Sequence, residues 1–197
     1  MNVGIVTSFI IGGLLLLSML TLNNTVMLES SKATIDITNK AYVDNLRDVI
    51  THDFNRIGFG QGAKIVNFLP PDKIIFQSDI YGQGTKQVIW QFKKNTPVNN
   101  TSNPNDRILM RIGPIDSTNT TKNLKFRAFD FKITTYKDKD GTVETNDKSE
   151  IKSLLVELIY ESPEPLGISN NGEGYYSRSV WKKHFVPNNI QFQDLNN

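Results

Sequence analysis

The chain has no cysteine and only two histidines, His52 and His184. A disulfide framework and a cysteine nucleophile are therefore excluded, and a zinc site built from Cys and His has almost no material. A second absence is local. No charged side chain occurs before Glu29, and no proline before Pro70. The first stretch, MNVGIVTSFIIGGLLLLSML, is almost wholly apolar. A helix of roughly 20 residues rises about 1.5 Å per residue, enough to cross a hydrocarbon core about 30 Å thick. A cleaved secretory signal would show a basic start and a small-x-small exit, and this segment shows neither. It reads as a retained anchor. A run without a polar face suits lipid better than a core surface. Gly12 and Gly13 are tolerated in such a helix. Membrane lipid is thus an expected partner.

The net charge is only +2, with both signs interspersed. No basic stripe with interleaved aromatics stands out, so nucleic acid is not expected as a ligand. Some 170 residues follow the anchor, enough for one domain with a real core. The organisation read from the chain is 1–28, a membrane-spanning half-helix; 29–60, an amphipathic half-helix; and 61–197, an antiparallel β domain.

From Ser31 to Ile57, apolar residues recur at spacings of three, four and seven, the mark of a helical stripe. Leu46, Val49, Ile50, Phe54 and Ile57 are the expected contact with a sheet or with another subunit. Gly58 and Gly60 supply a C-terminal stop. Span and amphipathic segment read as one helix, with a kink or local unwinding at Asn23, Asn24 and Thr25, which are weak helix formers.

Beyond Gly62 the period changes to two. KIIFQSDI (73–80) and GTKQVIWQFKK (84–94) read as a hairpin around a glycine-containing turn. Strands follow at 107–112, at 124–128 and from Phe129, at 151–160 and at 176–186. Leu124, Phe126 and Ala128 run one residue out of phase with Phe129, Phe131 and Ile133, which predicts a bulge or break near Ala128. NTPVNNTSNPND and ESPEPLGISNNGEG read as loops. Short connections give an antiparallel sheet, and one helix can cover one of its faces. The expected class is α+β.

The chemical inventory is thin. His52, beside Asp53 on the helix, reads as a solvated or sheet-facing residue, and His184 as a strand residue. YGQGTKQ is a hairpin turn and lacks the phosphate-loop span. Asp138, Asp140 and Asp147 are the only candidates for an oxygen-ligated cation, but Gly141 comes too early for the helix-loop-helix calcium pattern and the flanks are strands. No nucleophile, base and orienting group assemble. The chain is expected to be non-enzymatic, without cofactor or metal.

Several segments in this order resemble type IV pilin-like proteins, in particular minor pilins and minor pseudopilins. NLRDVITHDFNRIGFG is similar to the end of their long first helix. IIFQSDIYGQGTKQVIWQFKK followed by RILMRI resembles their consecutive strands. FDFKITTYKDKDGTVETNDKSEIKSLLVELIY resembles a later hairpin, and SVWKKHFVPNNIQ the closing strand. The resemblance implies a long helix packed on an antiparallel sheet. It also implies a structural role among similar pilin-like subunits in a pilus or secretion pseudopilus. The protein would be a single-pass protein of the inner membrane with its C-terminal domain extracytoplasmic. Leader processing would fall between Gly4 and Ile5. The start departs from the family pattern: MNVG lacks a basic residue, and Phe9 stands where the family usually has Glu. A buried carboxylate in lipid needs a partner charge, so that Glu is an assembly device, and its absence fits a tip-located or non-polymerising relative. A membrane-tethered binding module is the alternative expectation.

Overall fold

The computed structural model describes residues 3–60, 65–69, 71–115 and 123–190. Among the described residues, one helix, α1 (Val3–Asn55), is followed by ten strands. Their contacts divide the chain into two compact units, Met1–Ala41 and Tyr42–Asn197. The class is α+β with antiparallel sheets.

In the first unit α1 carries an 18-residue window of mean hydropathy 2.3, none of it buried. It is long and apolar enough to span a membrane. The helix runs without interruption through Asn23, Asn24 and Thr25, so the expected unwinding is absent. Thr21 and Thr25 turn their hydroxyls onto the carbonyls of Leu17 and Thr21, at 2.8 and 3.0 Å. This four-residue back-bonding hides a polar group inside the helix itself.

In the second unit, the strands β1 (Ile65–Leu69), β2 (Lys73–Ser78), β3 (Lys86–Pro97), β4 (Arg107–Ile115) and β5 (Leu124–Ala128) form a five-stranded meander in that order. β1 was not foreseen from the sequence. β2 and β3 form the expected hairpin, Ile74 opposite Trp90 and Phe76 opposite Val88. A second sheet has the order β10-β7-β6, from β6 (Asp130–Tyr136), β7 (Ser153–Glu161) and β10 (Arg178–Phe185). Two short strands, β8 (Gly167–Ile168) and β9 (Gly174–Tyr175), pair within a segment read from sequence as loop.

The phase slip at Ala128 has a different meaning from a bulge. β5 ends there and the chain changes sheet, with Phe129 donating its amide to the Ile159 carbonyl at 2.9 Å. Each sheet keeps its own alternation, so the residue at the joint breaks the common phase. A register irregularity occurs instead in the β3–β4 pair, between Gln87 and Ile89. Gly113 lies opposite it with φ +110°, and a Cβ there would come within 2.5 Å of the Gln87 carbonyl oxygen. Only glycine fits that approach.

The core gathers both larger sheets and the last turns of α1. Phe54 is its hub, with ring centroids 5.4 Å from Phe185, 6.1 Å from Phe76 and 6.2 Å from Trp90. The turn that follows α1 closes at Gly58, whose φ of +77° is the left-handed exit that glycine favours. Its amide reaches the Gln77 carbonyl, which ties the helix end to β2.

Candidate functional site

The sequence singled out a packing stripe. Leu46, Ile50, Phe54 and Ile57 are wholly buried, and Val49 packs half-buried against the same core. Val43 is buried as well. Each buried Leu, Ile or Phe side chain contributes roughly 1.5–3 kcal/mol relative to exposure. Gly4 and Ile5 lie in the first turns of α1, with Ile5 exposed.

The stripe holds one residue that hydrophobic pattern alone rejects. Asp53 is wholly buried, three residues after Ile50 and one before Phe54. Arg111, buried on β4, meets it with a two-pronged bridge: Nε donates to Oδ2 at 2.5 Å and Nη2 to Oδ1 at 2.9 Å. Trp90 on β3 donates its indole N–H to Oδ2 at 2.9 Å. Arg111 Nη1 donates to the Gly113 carbonyl at 2.8 Å. Three elements thus meet on one carboxylate. Burial works against the Arg111 charge, but the Asp53 hydrogen bonds and charge raise its pKa above the ordinary guanidinium value. A bidentate, charge-assisted pair of this kind tolerates burial because every close donor has an acceptor. His52 lies beside it, half exposed, with Nδ1 3.4 Å from Asp53 Oδ1. This centre was missed in the sequence. The signal was present: Asp53 is seven residues after Leu46, on the stripe itself, and Arg111 shares the parity of Leu109 on β4.

The chain also brings a serine and a histidine together. His184 Nε2 is 2.9 Å from Ser153 Oγ. However, the Ser153 hydroxyl donates to the Asp138 carbonyl at 2.6 Å. The histidine must then donate to the serine, the reverse of what a general base requires. Ser153 is also wholly buried. The pair fastens β7, β10 and the hairpin tip.

The acidic tip uses its carboxylates internally. Asp138 accepts the amides of Thr142 and Val143, at 3.0 and 2.7 Å. Asp147 accepts the Ser149 amide and hydroxyl, at 2.9 and 2.7 Å. Amide donation from Thr142 lowers the Asp138 pKa, and the Ser149 hydroxyl lowers that of Asp147. Among the described residues, no cluster of His, Cys, Asp or Glu has the geometry to hold a metal ion.

A fourth constellation lies at the start of the second unit. The Arg127 amide donates to the Tyr42 hydroxyl at 2.6 Å. The Arg127 guanidinium lies 5.2 Å from the Tyr42 ring centroid, and its Nη2 donates to Tyr160 at 3.2 Å. Burial raises the pKa of both phenols, that of Tyr160 to about 12. These are fasteners of β5 and β7 to the helix. A cleft nearby is lined by Pro104, Asn105, Glu161, Glu173, Tyr176 and Arg178.

No family model, no curated protein and no solved structure matches this chain.

Proposed function

We propose that this chain is a membrane-anchored, pilin-like structural subunit that assembles with similar subunits through its first helix. The observation that carries this reading is the division of labour along α1. Its N-terminal window is apolar and exposed all round. Its last turns are built into the core of the β domain. A helix that only completed a soluble core would bury its apolar window. Here Phe9, Leu14, Leu16 and Met19 have no partner within their own unit large enough to cover them, each being more than half exposed. Lipid, and then other helices, are the natural cover. The reading places the chain as a single-pass inner-membrane protein with its β domain extracytoplasmic.

The test is imaging of native membranes, together with pull-down of the tagged full-length chain after substitution of exposed apolar residues of the first unit, such as Phe9→Ala and Leu16→Ala. Loss of co-purifying subunits with the β domain still folded supports assembly through the helix. Partners retained by every helix variant, with no filament, would reject it. The cleft at Pro104, Glu161 and Arg178 favours a second reading, a tethered binding module. In that case loop substitutions, and not helix substitutions, remove the partner.

A further inference from the structure

A loop of the β3–β4 connection is tied down by a hydrogen-bond pattern that cannot be completed with all of its acids ionised. Asp106 is 1 % exposed. Thr101 Oγ1 lies 2.7 Å from Asp106 Oδ2 and 3.1 Å from the Pro163 carbonyl, and it accepts the Asn103 amide at 3.1 Å. A threonine hydroxyl has one hydrogen and two lone pairs. With Asp106 ionised, that hydrogen faces two acceptors, and either the carboxylate or its link to Pro163 goes without. With Asp106 protonated the chain closes: the acid donates to Thr101, Thr101 donates to Pro163, and the Asn103 amide takes the other lone pair. Asp106 Oδ1 has no hydrogen-bond partner among the described residues. A buried carboxylate oxygen left so is costly, and a neutral carbonyl oxygen is much less so.

We propose that Asp106 is a protonated latch, and that losing its proton undoes the Thr101 link to Pro163 and loosens the Thr101–Asp106 loop at the end of β7. The Ser102 amide on the Pro163 carbonyl, at 3.1 Å, and the Asn103 side chain on Glu161 and the Ser162 carbonyl are then the loop's remaining ties there. The charged neighbours leave room for this. Arg127 on β5 is 4.0 Å away, beyond hydrogen-bond distance, and is engaged with Tyr160. Glu161 at the end of β7 adds a second acid, itself held by Arg178 on β10 and by Asn103. Arg107 follows on β4 and turns its guanidinium onto backbone carbonyls. Tyr42 on α1 and Tyr160 on β7 are neutral phenols whose pKa values burial raises. Burial moves the Asp106 pKa upward, outweighing the Thr101 hydroxyl and Arg127, which both work to lower it. The sign follows. A carboxyl whose folded pKa exceeds its unfolded value of about 3.9 favours the closed loop below that value and loses this contribution as pH rises through the folded pKa. The loop supplies Pro104 and Asn105 to the wall of the cleft that Glu161 and Arg178 also line. Acid therefore closes that wall and a rise in pH loosens it.

The experiment uses the full-length chain in detergent. Asp side-chain carboxyls are followed by 13C NMR across pH, and hydrogen exchange of Ser102 and Asn103 is corrected for its intrinsic pH dependence. The resonance missing in Asp106→Asn should titrate above the other aspartates. Protection of both amides should fall by up to about tenfold per pH unit over the same range, the limit for one proton. Asp106→Asn, whose amide can donate to Thr101 permanently, should flatten that dependence. An Asp106 resonance that titrates in the ordinary carboxylate range, or loop protection that ignores its titration, overturns the proposal. If the variant does not fold, the wild-type titration and exchange decide alone.

Discussion

The two stretches of α1 obey opposite rules on one helical period. From Val3 to Leu28 the apolar residues surround the helix, and Phe9, Leu17 and Leu22 are all well exposed. From Tyr42 to Asn55 they keep to a stripe, and Val43, Leu46, Ile50 and Phe54 vanish into the core. The second stretch also buries a charge, Asp53, which the first never does. Water and sheet select a stripe with one satisfied carboxylate, whereas lipid tolerates a full apolar girdle and no charge. The same helix is therefore fitted for two solvents.

The largest test of this contrast is the buried pair. Arg111→Ala leaves Asp53 without its two guanidinium donors, and breaking such a pair should cost about 3–5 kcal/mol. Thermal unfolding of the full-length chain in detergent reads it. Replacing both residues with apolar ones, Asp53→Leu with Arg111→Met, should recover much of the loss, because no charge is left stranded. If the single variant unfolds like the wild type, the pair is not what holds the helix end to β4. Leu46→Asp belongs to the same class, since it puts an unpartnered carboxylate into the stripe.

Next in size is a substitution in the other stretch. Leu16→Lys places a charge at the centre of the apolar window and should cost about 2.5–3.5 kcal/mol of membrane insertion. Extraction of membranes with alkali measures it. Unfolding of the β domain should not change. A shift in β-domain unfolding instead would mean that the two stretches are not doing separate jobs.

Much of this contrast was legible from sequence. The charge-free start and the later three-four-seven spacing set out one long helix, and the alternations of Val88, Trp90 and Phe92 and of Leu154, Val156 and Leu158 set out buried strand faces. What escaped was whatever depends on contacts distant in sequence. Asp53 and Arg111 are 58 residues apart, so neither shows its partner locally. The division into two larger sheets was hidden because a change of sheet at Phe129 leaves the same phase slip as a bulge. The short β8–β9 pair lay in a segment rich in turn formers. The Ser153–His184 contact could not be foreseen, and its direction of donation is visible only once Asp138 is in place.

A smaller effect probes where the stripe begins. Tyr42 is the first residue of the second unit, and its hydroxyl takes the Arg127 amide. Tyr42→Phe keeps the ring beside Tyr160, 4.9 Å between centroids, but leaves that amide unpaired. The expected loss is about 0.5–1.5 kcal/mol, read by denaturant unfolding. An unchanged midpoint with an unchanged slope would place the working boundary of the buried stretch after Tyr42.

The smallest effect belongs to the exposed tip, far from both stretches in its demands. Asp138 is solvated, yet its carboxylate accepts two backbone amides across the turn. That donation, chiefly from Thr142, lowers its pKa. A depressed folded pKa means that the contribution is present above the unfolded value of about 3.9 and is lost as pH falls through the folded one. Asp138→Asn should therefore lower the unfolding midpoint slightly at neutral pH, and the difference from wild type should close on acidification. Calcium offers the rival explanation for the same carboxylate. A cation that bound only the folded tip would raise the midpoint with RT ln(1 + [L]/Kd). The Asp138 oxygens already accept the amides of Thr142 and Val143, and among the described residues no further acids join Asp138 in a cluster that could hold an ion. The midpoint in millimolar calcium should accordingly match that in chelator. A calcium-dependent rise that disappears in Asp138→Asn would make the tip a cation site in place of a self-capped turn.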